Sequence, residues 1–173
     1  AIHRLNHPEG MNLGARRFTI STVGIVPGIR RFAQEDLQAN LAISLHAADD
    51  VLRSSLIPIN RTYPINKIIA AVEDYIQATN RRVTFEWALI EGINDTPEQA
   101  QKLASLLRGM LAHVNLIPLN PTRDFHGESS SRESVERFQQ ILEDQGISST
   151  IRVRRGVDIQ AGCGQLAQYD EQH

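Results

Sequence analysis

Short β-branched and apolar runs alternate along the chain with longer segments of helical period. This alternation predicts parallel strands joined by right-handed helical crossovers, as in α/β domains. The second run is apolar with little polar alternation, which is typical of a strand covered on both faces. The predicted strands are 17–23, 40–45, 82–90, 113–118 and 149–154.

The strongest helical pattern spans residues 64–79. Its Ile, Val and Tyr residues recur at intervals of three and four and form one continuous apolar stripe. Pro64 at the first turn and Asn80 just past the end are typical start and stop signals. A shorter helix is expected to follow Pro27.

Two later helices are predicted from the polar residues at their starts. Thr96 and Gln99 form a capping-box pattern ahead of an apolar stripe. Ser130 and Glu133 form a second capping-box pattern, and Gly146 predicts a left-handed end to the helix that follows.

The number of elements limits the architecture. Five strands with four intervening helical segments are too few to close an eight-stranded βα barrel. The pattern therefore leaves an open α/β sheet or an arc of a barrel. The length of 173 residues suits one domain, and no repeat or linker interrupts the chain.

Composition excludes several classes of protein. The chain has 18 Lys and Arg against 20 Asp and Glu, so a globally basic nucleic-acid-binding surface is excluded. A single cysteine forms no internal disulfide and no four-cysteine metal or iron–sulfur site. Apolar stretches of about eight residues are too short to cross a bilayer. Without an apolar signal core at the start of the chain, we expect a cytoplasmic protein with no membrane association.

Polar residues follow the carboxyl ends of the predicted strands. Because the carboxyl ends of parallel strands meet at one rim of a sheet, these residues predict a small-molecule pocket there. The segments are Ser21-Thr22, Ser44-Leu45-His46, 91–95, Asn120-Pro121 and Arg154-Arg155-Gly156.

The individual rim residues each allow two interpretations. Ser21 and Ser44 have no neighbouring His-Asp pattern that would make a nucleophile, so they cap strand ends or contact a ligand. His46 is either a structural hydrogen-bonding residue or a functional one. Asn120 either starts a turn at Pro121 or hydrogen-bonds a base or a ribose.

Cys163 lies between two glycines near the end of the chain. A lone cysteine is often a buried, inert residue, but a glycine-flanked loop also lets a thiol meet a ligand. Arg154 and Arg155 are the basic residues nearest the carboxyl ends of the predicted strands, so they are candidates for phosphate contacts.

An ordered set of motifs covers essentially the whole chain. It comprises 6–17 (NHPEGMNLGARR), 21–24 (STVG), 41–47 (LAISLHA), 58–60 (PIN), 91–95 (EGIND), 115–121 (NLIPLNP) and 161–166 (AGCGQL). Taken together, these motifs resemble the radical S-adenosylmethionine RNA methyltransferases of the RlmN type. None of these motifs alone would be specific for this family, but their combination in this order along the chain is specific.

The resemblance implies a reaction, cofactors and partners. The family methylates C2 of an adenosine in 23S rRNA and in some tRNAs, using S-adenosylmethionine, a 4Fe–4S cluster and a flavodoxin-type electron donor. The resemblance implies that Cys163 is the cysteine that carries the methyl group. It also implies S-adenosylmethionine binding by Ser21, Ser44, Leu45, His46 and Asn120.

The resemblance is incomplete in one respect. The family's Cys-x-x-x-Cys-x-x-Cys cluster motif, Gly-Glu-Pro motif, catalytic glutamate and second cysteine are absent from this sequence. In the family they precede the segment that begins at Ala1. We therefore expect residues 1–173 to be the C-terminal part of a radical-SAM core domain, an incomplete barrel without its N-terminal strands. Such a chain would hold no metal cluster, would be inactive alone, and would expose a sheet edge through which copies could pair.

Two alternatives remain open at this point. A related enzyme type methylates C8 of the same adenosine and shares the Cys163 loop. The chain could instead be a non-catalytic nucleotide-binding or RNA-binding α/β module. An aromatic content of 5% argues against strong autonomous RNA binding.

Overall fold

The computed structural model describes residues 2–119 and 128–152. Within these ranges the chain forms five strands and six α-helices. In chain order they are α1 (Ile2–Asn6), β1 (Thr19–Thr22), α2 (Val26–Ala33), β2 (Asn40–Ser44), α3 (Asp50–Leu56), α4 (Ile65–Thr79), β3 (Val83–Leu89), α5 (Pro97–Leu107), β4 (Ala112–Pro118), α6 (Arg132–Asp144) and β5 (Ser149–Ile151). None of the described helices is long and apolar enough to span a membrane.

The five strands form one parallel sheet in the order β1-β2-β3-β4-β5. The predicted parallel α/β architecture is confirmed, and all the strands end at the same edge of the sheet. β1 begins later than predicted, because Ala15–Arg17 form a 3-10 turn instead of extended chain. The predicted strand at 149–154 is described as far as Ile151, and its residues 153 and 154 lie outside the described ranges.

Alternation along the strands gives the sheet two different faces. One face is apolar and packs against α2, α4, α5 and α6 in a single core. Its fully buried strand residues are Leu41, Ile43, Val83, Phe85, Trp87, Leu89, Val114 and Leu116. The opposite face carries the residues between them, because successive side chains of a strand point to opposite sides. We call this the polar face: Ser21, Ser44, Thr84, Glu86, His113, Asn115 and Thr150.

The middle residues of β2 are buried on both faces of the sheet. Leu41 and Ile43 face the helices, and Ala42 between them is only 2% exposed. The apolar run at this strand therefore predicted its burial correctly.

Helix α4 confirms the prediction from its apolar stripe. It begins directly after Pro64 and ends at Thr79. Asn80 follows it in the left-handed conformation, with φ of 51°, and donates its N–H to the carbonyl of Ile76. An asparagine tolerates this conformation better than most residues, which explains the stop signal.

One of the two hydrogen bonds predicted for the capping box at α5 is confirmed, and the other is wrong. The Thr96 hydroxyl accepts a hydrogen bond from the Gln99 N–H at 3.3 Å, as a capping residue does. The Gln99 side chain, however, does not return to the helix start. Its Oε1 accepts from the Ala48 N–H at 3.0 Å and its Nε2 donates to Asp49 at 2.8 Å, which ties α5 to the loop after β2.

The start of α6 lies one residue later than its capping-box pattern predicted. The cap is Ser131, whose hydroxyl accepts from the Ser134 N–H at 3.1 Å. Ser130 is not the cap because the residue after it, Ser131, is still extended, with φ of −61° and ψ of 154°. The left-handed end at Gly146 is confirmed, with φ of 76°.

Helix α3 was not predicted from the sequence pattern. Asp49 starts it by accepting from the Leu52 N–H at 2.9 Å, and that backbone bond is the main cause that lowers the pKa of Asp49. The buried residue of this helix is Arg53. A seven-residue helix that buries an arginine has no apolar stripe, so hydrophobic periodicity gives no signal for it.

Gly24 allows α4 to pack closely against the end of β1. Its φ is +95°, a conformation that residues with a side chain rarely adopt. A Cβ at this position would lie 2.5 Å from Cδ1 of Ile68. The position therefore combines a backbone requirement with a steric one.

We expect Gly24→Ala to lower the free energy of unfolding by about 2–4 kcal/mol, because it adds backbone strain and a core clash. Gly109→Ala is the matched control, since Gly109 also has positive φ but has open space around its Cβ position. That change should cost about 1 kcal/mol. Urea unfolding of both variants tests the difference, and equal losses would contradict the steric contribution.

Candidate functional site

The carboxyl ends of β1 and β2 bring three of the predicted site residues to one region of the sheet. Ser21 lies on β1 opposite Ala42 of β2, and its side chain is exposed on the polar face. Ser44 ends β2 on the same face and is half-buried. His46 follows two residues later, just beyond the strand end.

Leu45 differs from its neighbours in the direction of its side chain. The side chain is fully buried in the core on the helix side of the sheet. Its backbone N–H donates to the carbonyl of Glu86 at 3.1 Å, and its carbonyl accepts from Arg53 at 3.0 Å. Leu45 therefore fixes the end of β2, and its side chain does not reach the polar face.

His46 is held as a neutral imidazole. Its backbone has φ of 58°, and its Nδ1 accepts a hydrogen bond from the Ala88 N–H at 2.9 Å. An Nδ1 that accepts leaves the proton on Nε2. Burial, followed by the charge of Arg53, lowers the pKa of His46 to about 4. His46 is therefore a hydrogen-bond donor through Nε2 at neutral pH and not a cation.

Asn94 forms hydrogen bonds with the backbone at the ends of both β2 and β3. Its fully buried side chain donates through Nδ2 to the carbonyls of His46 at 2.8 Å and Ala88 at 2.7 Å. Its Oδ1 accepts from the Ile90 N–H at 2.7 Å. A single amide thereby satisfies three backbone groups of two neighbouring strand ends.

Arg53 joins the ends of β1 and β2 in a similar way. Its guanidinium donates to the carbonyls of Val23 at 2.7 Å, Ser44 at 3.1 Å and Leu45 at 3.0 Å. Burial lowers the pKa of Arg53, although an arginine remains charged throughout the physiological range. Three strand ends are thus fixed by two buried polar side chains, Arg53 and Asn94.

A row of hydrogen-bonded side chains crosses the polar face from β3 to β5. Glu86, which is in register with Ser44, accepts from Asn115 at 3.0 Å. The ring nitrogens of His113 lie 2.9 Å from the Ser148 hydroxyl and 3.0 Å from the Thr150 hydroxyl. Burial, followed by the charge of Arg82, lowers the pKa of His113. This face offers hydroxyl, amide, imidazole and carboxylate groups, a donor and acceptor set that suits a ribose or a nucleobase.

The remaining predicted site residues lie outside the described ranges. These residues are Asn120, Arg154, Arg155 and Cys163. Conversely, the sequence pattern did not predict Arg53, Asn60 or Glu86 as site residues. Asn60 lies within the motif 58–60, and Glu86 lies within the predicted strand 82–90. Asn94 belongs to the predicted rim segment 91–95, and the structure gives it a supporting position instead of an exposed one.

No protein-family model matches the chain. A relative from Roseiflexus sp. (strain RS-1), described as "Probable dual-specificity RNA methyltransferase RlmN", is 53% identical over 96% of this chain. A relative with the same description from Chloroflexus aurantiacus is 56% identical over 96% of it. Over 96% of its length, the chain is therefore similar to relatives described as RlmN. It spans about half the length of the curated relatives it matches, 44% of the first and 46% of the second.

Solved structures agree with this similarity. A radical SAM methyltransferase from Sphaerobacter thermophilus matches with a TM-score of 0.91 and 57% identity, covering 93% of this chain and 47% of that one. A domain of pyruvate-formate lyase-activating enzyme from Bacteroides vulgatus matches with a TM-score of 0.59 and 19% identity, covering 78% and 80%. The second likeness concerns the fold alone. The five-stranded sheet is the partial barrel that the resemblance predicted.

Asn94→Ala should lower the free energy of unfolding by about 2–4 kcal/mol, because it leaves three buried backbone groups unpaired. Asn66→Ala is the control, since Asn66 is exposed on α4. It should change stability by less than about 0.5 kcal/mol. Chemical denaturation of both variants measures the effects, and similar values for the two would contradict the supporting role of Asn94.

Stability should depend on the protonation of His46. Because the folded-state pKa is lowered from 6.5 to about 4, the unfolded chain takes up the proton first as the pH falls. The stability that the folded chain gains from holding His46 neutral is fully present above pH 6.5. The free energy of unfolding should fall by about 1–3 kcal/mol between pH 6.5 and pH 4.

Urea unfolding of the wild type, His46→Asn and the exposed-site control His7→Asn across this pH range tests the dependence. His46→Asn should flatten the slope, since asparagine also tolerates positive φ but does not titrate. His7→Asn should keep the wild-type slope. A wild-type slope in His46→Asn would show that other groups cause the pH dependence.

Proposed function

We propose that this chain supplies the S-adenosylmethionine-binding C-terminal part of a radical enzyme that methylates C2 of adenosine in 23S rRNA and in some tRNAs. The observation that carries the proposal is the 53% identity over 96% of the chain to a relative described as an RlmN dual-specificity RNA methyltransferase. Such a reaction places the protein in the cytoplasm, where ribosomal and transfer RNAs are found.

The rim at the ends of β1 and β2 fits the nucleoside part of S-adenosylmethionine. Ser21 and Ser44 present hydroxyls on the polar face, and His46 presents a neutral N–H donor. Uncharged donors and acceptors of this kind match ribose hydroxyls and adenine nitrogens. We assign to the cofactor these three residues, the side chain of Asn120 and the carbonyl of Leu45, which has a second lone pair besides the one that accepts from Arg53.

The remaining assignments follow the family resemblance. When bound, S-adenosylmethionine supplies the methyl group and, in its second role, the radical chemistry of the reaction. We assign Cys163 as the thiol that accepts and carries the methyl group. Arg154 and Arg155 are assigned to RNA phosphates, because guanidinium groups bind phosphate oxygens well.

The iron–sulfur cluster does not fit the residues of this chain. The chain has one cysteine, whereas the family's cluster motif needs three. Within residues 2–119 and 128–152, no group of three or more His, Cys, Asp and Glu side chains is placed to hold a metal ion. We therefore assign the cluster ligands and the contact with a flavodoxin-type donor to residues outside this chain, and expect the chain alone to be inactive.

A chimeric enzyme tests the proposal. In the Roseiflexus sp. relative, the segment that matches this chain, 44% of its length, is replaced by this chain. The chimera should form 2-methyladenosine in 23S rRNA, and Cys163→Ala in the chimera should abolish the product, because no other thiol of this chain can carry the methyl group. Mass spectrometry of digested RNA measures the product.

Cys163→Ser and the unaltered relative serve as controls. The serine variant keeps the size of the side chain but should also be inactive, since a hydroxyl is a much weaker nucleophile than a thiolate at neutral pH. Formation of 8-methyladenosine would favour the C8-methylating alternative. An inactive chimera beside an active parent would contradict the proposed function.

A further inference from the structure

Arg53 is a charged side chain with no exposed surface. Removing a guanidinium from water is costly unless hydrogen bonds and opposite charge compensate for the lost hydration. An apolar residue would fill the same space on α3 without that cost. The position of Arg53 therefore needs an explanation beyond core packing.

The hydrogen bonds of Arg53 converge on two strand ends. Nη2 donates to the carbonyl of Val23, directly after β1, at 2.7 Å and to the carbonyl of Ser44, the last residue of β2, at 3.1 Å. Nε donates to the carbonyl of Leu45 at 3.0 Å. The planar guanidinium thus sets the separation and direction of both strand ends at once.

The charge of Arg53 is balanced through an intervening amide. Nη1 donates to Oδ1 of Asn60 at 2.8 Å, and Nδ2 of Asn60 donates to Oδ1 of Asp50 at 2.9 Å. The same Asp50 oxygen accepts from the Ile65 N–H at the start of α4 at 2.9 Å. No carboxylate of the described residues hydrogen-bonds Arg53 directly, so its donors remain directed at the strand-end carbonyls.

We propose that Arg53 is a positioning residue for S-adenosylmethionine binding, holding the ends of β1 and β2 in the conformation that presents Ser44 and His46 to the cofactor. The inference rests on the proposed function, which assigns the cofactor to this rim. Arg53 itself does not face the ligand, because its side chain is buried. It acts on the ligand through the backbone of residues 44–46.

The neighbouring imidazole supports the same conclusion. His46 takes a left-handed backbone conformation immediately after the two carbonyls that Arg53 binds. The positive charge of Arg53 also contributes, after burial, to lowering the pKa of His46. Arg53 therefore favours both the backbone geometry and the neutral state in which Nε2 of His46 donates.

Two substitutions separate positioning from general stability. Arg53→Met keeps much of the side-chain volume and removes every donor. Arg53→Lys keeps the charge and part of the hydrogen bonding, and it covers the case in which the methionine variant does not fold. Arg132→Gln is the matched control, because Arg132 is an exposed arginine paired with Glu136 on α6.

Equilibrium dialysis of the full 173-residue chain with radiolabelled S-adenosylmethionine measures the effect. Arg53→Met should weaken binding roughly ten-fold or more, as expected for strand-end carbonyls that have lost their donors. Arg53→Lys should restore part of the affinity, and Arg132→Gln should bind like the wild type. Wild-type affinity in a folded Arg53→Met variant would overturn the proposal, and so would an Arg53→Lys variant that folds and binds no better than the methionine variant.

Amide NMR spectra distinguish failure of this inference from failure of the proposed function. In Arg53→Met, shifts and line broadening should concentrate at residues 23–24 and 44–46, while signals of α5 and α6 stay unchanged. If the wild-type chain does not bind the cofactor, the proposed function loses its support at this rim, and the spectra decide the positioning role. Localised changes would then support it, and unchanged strand-end signals would overturn it.

Discussion

The parallel register of five neighbouring strands is the constraint on which the rest of the molecule depends. Because paired residues stand side by side across the sheet, alternation within each strand becomes a separation of whole faces. The apolar face receives four helices and forms the core. The other face can then remain polar without loss of stability, and the strand ends lie together at one rim. A shift of one residue in the pairing of any strand would move that strand's apolar side chains to the polar face and its polar side chains into the core.

Two buried polar side chains convert this rim into a defined surface. Backbone groups at strand ends lose their sheet partners, and inside a protein they need others. Asn94 provides partners at the end of β3 and beyond β2, while Arg53 provides them at the ends of β1 and β2. Arg53 and Asn94 thereby fix the backbone of the residues assigned to the cofactor, although neither side chain faces the cofactor. The exposed residues of the site thus depend on buried hydrogen bonds.

The sequence predicted those features that depend on apolar periodicity or on local backbone chemistry. The strands, the stripe of α4 and the left-handed ends at Asn80 and Gly146 belong to this group. The sequence did not predict hydrogen bonds between a polar side chain and a partner outside its own element. Gln99 was assigned to its own helix start but bonds the loop after β2, and Arg53 gave no signal because a buried arginine resembles an exposed one in sequence. Ser21, Ser44 and His46 were predicted because the sequence pattern indicates where strands end. Two of the contacts that support them join residues far apart in sequence: Arg53 and Val23 are 30 residues apart, and Asn94 and His46 are 48 residues apart.

The contacts of Gln99 have a consequence for how this chain can vary in length. The segment from Leu45 to Asp49 is hydrogen-bonded to Arg53 on α3, to Asn94 in the turn after β3 and to Gln99 on α5. An inserted or deleted residue there would break several of these bonds together. The turn at 108–111, at the opposite edge of the sheet, has open space around Gly109. Insertions and deletions should therefore be accommodated at that edge, which leaves one end of the domain free to diverge in length while the other stays fixed.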